Sequence, residues 1–117
     1  FRYSDLKTDS KTLRDGETVN VSVRLENTGG YDSDEVVQLY ASFPDSEVGR
    51  PAIALKGFSR VQVRKGESKT VIIPLSADDI KYWNVEKHAF VLEKGKLEIA
   101  VGPSSADLRL KGEILVR

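Results

Sequence analysis

Within Glu17–Glu26, polar and apolar side chains alternate with a period of two from Thr18 onward. The apolar positions are Val19, Val21, Val23 and Leu25. In an extended chain these four share one face, and the polar residues between them share the other. The pattern is typical of a β-strand with one face in a core and one face in solvent. The turn-forming sequence Asn-Thr-Gly-Gly at residues 27–30 ends the strand.

Similar patterns predict strands along most of the chain. In Glu35–Phe43, apolar residues occur on both faces of the predicted strand. Val36 and Tyr40 are on one face, and the other face carries Val37, Leu39, Ala41 and Phe43. We therefore expect a central strand that is covered on both sides. Two further strands, separated by a turn at residues 64–67, are predicted at Leu55–Val63 and Val71–Leu75.

The last third of the chain combines a helical turn with more strands. Ser76 followed by Asp79 is typical of a helix N-cap with its acidic partner, which predicts a short helical turn over Asp78–Trp83. The turn sequence at residues 93–96 predicts a hairpin that joins Phe90–Leu92 to Leu97–Val101. The residues expected to close the sheet are Leu108, Leu110, Ile114 and Val116.

About seven short strands at roughly 8–12-residue spacing predict an all-β fold, an immunoglobulin-like two-sheet antiparallel sandwich with one short helical turn. The chain has no cysteine, so the disulfide of true immunoglobulin domains is absent and the fibronectin type III-like branch is favoured. With 117 residues, the chain is expected to form one domain over residues 1–117.

Composition excludes several classes of function. The 18 basic and 18 acidic residues balance, so nothing indicates binding to nucleic acid or to an anionic membrane, and no apolar run approaches the length of a membrane span. Without cysteine there is no thiolate metal site and no cysteine nucleophile. The chain also has no methionine and begins in a strand-like segment, Phe1–Leu6, so we expect a domain excised from a larger protein.

No catalytic, cofactor-binding or metal-binding residue is predicted. His88 lies in a polar turn with no motif around it, so a surface role is favoured. Tyr31–Glu35 carries alternating acids but lacks the glycine and the distal glutamate of an EF-hand loop. Asp78 and Asp79 are adjacent, and capping of the helical turn accounts for them better than a glycosidase acid–base pair.

The aromatic residues divide into two groups. Trp83, Phe43 and Phe90 are expected in the core, Trp83 as a plug at one end of the sandwich. Phe58 follows Gly57, which permits close approach of a neighbouring group, and lies two residues before Arg60. Aromatic and arginine residues are enriched at the centres of interfaces. The alternative, that Phe58 faces the core while the cations extend to solvent, remains open at this point.

The sequence Ser-Asp-Glu-Val-Val-Gln-Leu-Tyr at residues 33–40 resembles a strand of the fibronectin type III-like domain at the C-terminus of family 3 glycoside hydrolases. The resemblance continues, in the order of that family, through Arg50-Pro51, Leu55–Val61, Gly66–Val71, Leu75–Ile80, Leu92–Gly95, Val101-Gly102 and Ser104–Leu110. It also includes Phe1–Leu6 as the first strand, and so covers essentially the whole chain.

This resemblance implies a non-catalytic accessory domain of a β-glucosidase or β-xylosidase, whose catalytic residues lie on preceding domains. It implies a parent enzyme of the periplasm or the cell exterior, with the cytoplasm left open. The expected partners are the catalytic domains of the same chain. The residues expected at the contact are Arg50, Pro51, Ile53, Leu55, Lys56, Phe58 and Arg60. Ile53 and Ala54 replace a Lys-Glu pair that the family often carries, which implies either a drier contact or a stretch that does not touch the partner.

Two other hypotheses stay open on the sequence. An independent module that binds carbohydrate or protein would present a flat row of exposed aromatic rings. A free-standing hydrolase would hydrolyse an aryl glycoside, and we expect no turnover.

Overall fold

The computed structural model describes residues 1–48 and 53–117, and it confirms an all-β sandwich with one short helical turn. Two sheets pack face to face, and a separate two-stranded ribbon lies outside them. The strands of the described residues are β1 (Arg2–Thr8), β2 (Thr12–Leu13), β3 (Thr18–Glu26), β4 (Ser33–Ser42), β5 (Ala54–Val63), β6 (Ser68–Ser76), β7 (Tyr82–Asn84), β8 (Ala89–Val91), β9 (Gly95–Gly102) and β10 (Leu110–Val116). The 3₁₀ turn Ala77–Ile80 follows β6 directly.

The smaller sheet has the strand order β1-β3-β6, and all of its pairs are antiparallel. The alternation in Glu17–Glu26 is confirmed, because the predicted inner residues of β3 are buried and pair with buried residues of β6. Those pairs are Val19 with Leu75, Val21 with Ile73, and Val23 with Val71. The polar outer residues of β3 face solvent.

The larger sheet has the order β2-β10-β9-β4-β5, and its pairs are antiparallel except for the short parallel contact of β2 with β10. The predicted central position of β4 is confirmed, since β9 and β5 flank it. Val37, Leu39 and Ala41 are buried against the smaller sheet. The expected cover on both sides is wrong for the domain by itself, because Val36 and Tyr40 point outward and are only partly covered.

The hairpin predicted around residues 93–96 is wrong. β8 pairs with β7, whereas β9 pairs with β4 and β10. The connection between β8 and β9 is held instead by Glu93, whose carboxylate accepts hydrogen bonds from the Ser46 hydroxyl at 2.8 Å and the Glu47 amide at 3.1 Å. These bonds hold the segment against the residues that follow β4, so the chain does not form a tight hairpin turn between β8 and β9.

The helical turn is present but shorter than the predicted Asp78–Trp83. Ser76 caps it as expected: its hydroxyl accepts from the Asp78 amide, and the Asp79 carboxylate accepts from the Ser76 amide. Lys81 then returns to extended backbone, and β7 begins at Tyr82. The helical turn therefore ends at Ile80, and the backbone pairing from Tyr82 onward is that of the ladder with β8.

The core lies between the two main sheets, and the 3₁₀ turn adds Ala77 and Ile80 to it. The expected core positions of Trp83 and Phe90 are wrong, because both belong to the outer ribbon and are exposed. Phe43 packs against the core at its edge and is half-buried. Trp83 and Phe90 do share one face of the ribbon, but that face does not point toward the core.

Candidate functional site

The outer face of the larger sheet brings together apolar residues from β4 and β5. In the register of these strands, Val36 lies opposite Arg60, Gln38 opposite Phe58, and Tyr40 opposite Leu55. All of these side chains point away from the core, because the residues between them point into it. We call this surface, defined by Val36, Tyr40, Ile53, Leu55 and Phe58, the outer apolar face.

Three of the predicted contact residues are strongly exposed. Phe58 is 68% exposed, Leu55 50% and Ile53 39%. By contrast, the outer face of the smaller sheet consists mainly of Ser, Thr, Asn and Arg side chains on β3 and β6. Among the described residues, Ile72 is its one exposed large aliphatic or aromatic side chain. The two outer surfaces of the sandwich therefore differ sharply in character.

A β-bulge places Leu55 on this face. The register shifts between Leu39 and Tyr40, so that Leu39 pairs with Gly57 and Tyr40 with Leu55, and Lys56 is the extra residue. Gly57 points inward, where an added Cβ would lie 2.7 Å from the Cγ2 of Ile73. The glycine thus lets β5 approach β6 closely, and Phe58 beside it faces outward.

The outer apolar face continues across β4 onto β9. A shallow cleft there is lined by Tyr40, Ile53, Ala100, Leu108 and Lys111. Gly102 makes the cleft possible, because any side chain at that position would overlap the carbonyl oxygen of Asp107 in the loop that folds back over β9. The loop thereby brings Leu108 next to Ala100, which is nearly buried although it points outward.

The predicted cations behave differently from one another. Arg60 makes two hydrogen bonds to Oδ2 of Asp34, at 2.8 Å from Nη2 and 3.2 Å from Nε. Arg60 is therefore held by an acid of its own sheet. Lys56 is half-buried at the bulge. Arg50 and Pro51 lie outside the described residues.

The acidic residues singled out in the sequence have structural partners. Asp32 accepts a hydrogen bond from the Lys65 amide at 2.8 Å, Asp34 pairs with Arg60, and Asp78 lies 2.8 Å from Nζ of Lys81. The hydrogen bond to Asp78 raises the pKa of Lys81, and the pairing with Lys81 lowers the pKa of Asp15. Across residues 1–48 and 53–117, no group of three Asp, Glu or His side chains is placed to hold a metal ion.

A cluster that the sequence pattern did not indicate joins the first strand to the loop before β10. The hydroxyl of Tyr3 donates to Glu35 at 3.0 Å, and the guanidinium of Arg109 lies 5.3 Å from the Tyr3 ring centroid. Arg109 also bonds both oxygens of Asp107 and the carbonyl oxygen of Phe1. Burial and the Glu35 carboxylate raise the pKa of Tyr3, and Arg109 lowers the pKa of Asp107.

Two exposed rings on the ribbon were also missed. Trp83 and Phe90 lie directly opposite each other on β7 and β8, with ring centroids 5.2 Å apart and planes at 73°. His88 lies in the turn between these strands with a positive φ of 46°. In the part of the chain described, the only helical segment is the 3₁₀ turn Ala77–Ile80. Its four residues are far too few to cross a bilayer.

Comparison with known proteins identifies the domain. The family model of the fibronectin type III-like domain matches residues 35–105. Thermostable β-glucosidase B of Acetivibrio thermocellus is 39% identical over 116 residues, covering 99% of this chain and 15% of that protein. Probable β-glucosidase L of Emericella nidulans is 37% identical over 131 residues, covering 99% of this chain and 18% of that protein.

Solved structures show the same likeness. β-Glucosidase 3B from Thermotoga neapolitana, in complex with α-D-glucose, superposes with a TM-score of 0.85 at 36% identity over 97% of this chain and 15% of that one. The GH3 β-glucosidase of Bifidobacterium adolescentis superposes with a TM-score of 0.87 at 26% identity over 97% of this chain and 16% of that one. The chain spans less than a fifth of the length of these relatives. It belongs to the family of fibronectin type III-like domains.

Proposed function

We propose that this chain is a non-catalytic accessory domain of a family 3 β-glucosidase or β-xylosidase, and that its outer apolar face packs against the catalytic domains of the same protein. The observation that carries the proposal is the contrast between the two outer surfaces of the sandwich. One surface exposes Ile53, Leu55 and Phe58 together, whereas on the described part of the other surface Ile72 and Pro74 are the exposed apolar residues of β6, among polar neighbours. The relatives, in which a matching segment forms under a fifth of a longer β-glucosidase, supply the partner.

The composition of the outer apolar face indicates a dry contact. Arg60 is already paired with Asp34, so it does not require an acidic partner across the interface. Exposed apolar residues rimmed by polar ones are the usual mark of a protein contact, and contacts between domains of one chain bury roughly 600–1,500 Å². Arg50 and Pro51 are also proposed to lie at this contact, but only the family resemblance supports their inclusion.

The proposed role is mechanical support. A large aromatic side chain that is buried on docking contributes about 2 kcal/mol or more when it sits at the centre of a contact. Docking therefore raises the stability of the whole enzyme without a group of this domain taking part in the reaction. Of the two adjacent acids, Asp79 accepts the capping hydrogen bond from the Ser76 amide, and Asp78 pairs with Lys81.

A chimera tests the proposal. The segment of the Acetivibrio thermocellus enzyme that this chain matches is replaced by residues 1–117, and the thermal unfolding of the chimera and its hydrolysis of an aryl β-glucoside are measured. We expect an active chimera. Phe58→Asp should lower its unfolding temperature by a few degrees, because a charge is forced into a dry contact.

The matched control is Ile72→Asp, which places the same charge at an exposed aliphatic residue on the polar surface. In the separate 117-residue chain both substitutions should change the free energy of unfolding by less than about 0.5 kcal/mol, as is usual for surface positions. Equal effects of Phe58→Asp and Ile72→Asp on the chimera would contradict the proposed docking surface.

A further inference from the structure

The ribbon formed by β7 and β8 carries two aromatic side chains that contribute nothing to the core. Trp83 and Phe90 are 50% and 66% exposed, and they are direct cross-strand partners. Their planes meet at 73° with centroids 5.2 Å apart, an edge-to-face pair. The two rings therefore form an open corner on the ribbon surface.

The exposed apolar area of this corner is small. The exposed parts of two aromatic side chains amount to on the order of 200–300 Å². A stable contact between protein domains needs several times that area. The corner is closer in size to a small ring-shaped ligand than to a protein surface.

The turn next to the rings is mainly polar, with Val85 as its exposed aliphatic residue. The turn between the strands exposes Glu86, Lys87 and His88. None of these three side chains is paired with any other described residue, so their hydrogen-bonding groups are available. Asn84, at the end of β7, uses its Oδ1 to accept from the Lys87 amide at 3.0 Å, which fixes the turn beside the rings.

Flat apolar rings beside free hydrogen-bonding groups suit a ligand that has an apolar face and a polar edge. A pyranose has both, because its axial C–H groups form one face while its hydroxyl groups project around the edge. We propose that the corner formed by Trp83 and Phe90 binds a glucose unit of a β-linked gluco-oligosaccharide. The choice of glucose rests on the proposed function, since the relatives are β-glucosidases. Such a site would hold a sugar chain close to the catalytic domains.

The chain offers a direct measurement, because Trp83 is its only tryptophan. The 117-residue chain is titrated with cellopentaose and with laminaripentaose while tryptophan fluorescence is followed. We expect a saturable change with half-saturation in the millimolar range, about 4 kcal/mol of binding free energy. Phe90→Ala should weaken the binding by about tenfold. Trp83→Ala, followed by amide NMR shifts because it lacks the fluorophore, should abolish it.

The matched control is Phe58→Ala, which removes an exposed phenylalanine from the outer apolar face and should leave sugar binding unchanged. A response that stays flat up to roughly 10 mM ligand overturns the site, as does unchanged affinity in Phe90→Ala. These results leave the docking surface untouched, because that surface is tested through Phe58 and Ile72.

Discussion

At the scale of single residues, long-range polar contacts hold the ends of the chain to the sandwich. Tyr3 reaches Glu35, and Arg109 reaches the carbonyl of Phe1 at 3.1 Å. These partners are 32 and 108 positions apart in the sequence, so no local pattern could indicate them. Alternation places Tyr3 on a strand, but only the packed structure shows that its hydroxyl is covered and bonded to a carboxylate.

The Tyr3 contact predicts a loss of stability at alkaline pH. The pKa of Tyr3 is raised in the folded protein, mainly by burial and then by Glu35, so its contribution is complete below the unfolded-state pKa of about 10 and is lost as pH rises above it. Lys81, whose pKa is also raised, acts in the same direction above about 10.5. Tyr3→Phe should therefore reduce the dependence of unfolding free energy on pH above 10.

Urea unfolding at several values between about pH 8 and pH 11 measures this dependence. One titrating group can change the free energy of unfolding by at most about 1.4 kcal/mol per pH unit. Tyr31→Phe serves as the control, because the ring of Tyr31 is 84% exposed. The same slope in Tyr3→Phe and in the unaltered chain would show that Tyr3 is not the group responsible.

At the scale of strands and turns, period-two alternation was a sound guide to faces and a poor guide to partners. It predicted β3, β4, β5 and β6 to within three residues at each end, because their inner faces are mainly apolar. It also predicted a strand around Phe90. The same pattern could not show that β8 would pair with β7, or that Glu93 would bond to Ser46 and Glu47, because both depend on contacts that alternation does not encode. The candidate docking surface was predicted from the family resemblance. The aromatic corner was not predicted, because Trp83 and Phe90 meet only when β7 pairs with β8.

The close approach of β5 to β6 predicts a specific sensitivity at Gly57. In Gly57→Ala the new methyl group would lie 2.7 Å from Cγ2 of Ile73, which is buried and β-branched and has little room to move. We expect a loss of about 1–3 kcal/mol in the free energy of unfolding, measured by chemical denaturation.

Gly30→Ala is the matched control for Gly57→Ala, because nothing lies within 4 Å of a Cβ at that position. The control should change stability by no more than a few tenths of a kcal/mol in either direction. If both substitutions had the same effect, the packing of β5 on β6 would be looser than the structure indicates.

At the scale of the whole molecule, the uneven surface of the sandwich has an effect in solution. When the 117-residue chain is separate from any partner, its outer apolar face remains exposed to water. We predict weak self-association at concentrations near 1 mM, detectable by sedimentation velocity. Phe58→Asp should abolish it, whereas Ile72→Asp should not. Association that persists in Phe58→Asp would place the contact on another surface.

The seam between β5 and β6 also bears on how the domain avoids polymerising. These are the outermost strands of the two sheets on one side, and they contact each other, so each screens the other's unpaired backbone. On the other side, β1 is interrupted by an irregularity between Ser4 and Lys7, and β2 has only two residues. Short or kinked edges are poor templates for adding a foreign strand. The fold therefore resists amyloid-like growth while leaving a broad apolar surface exposed.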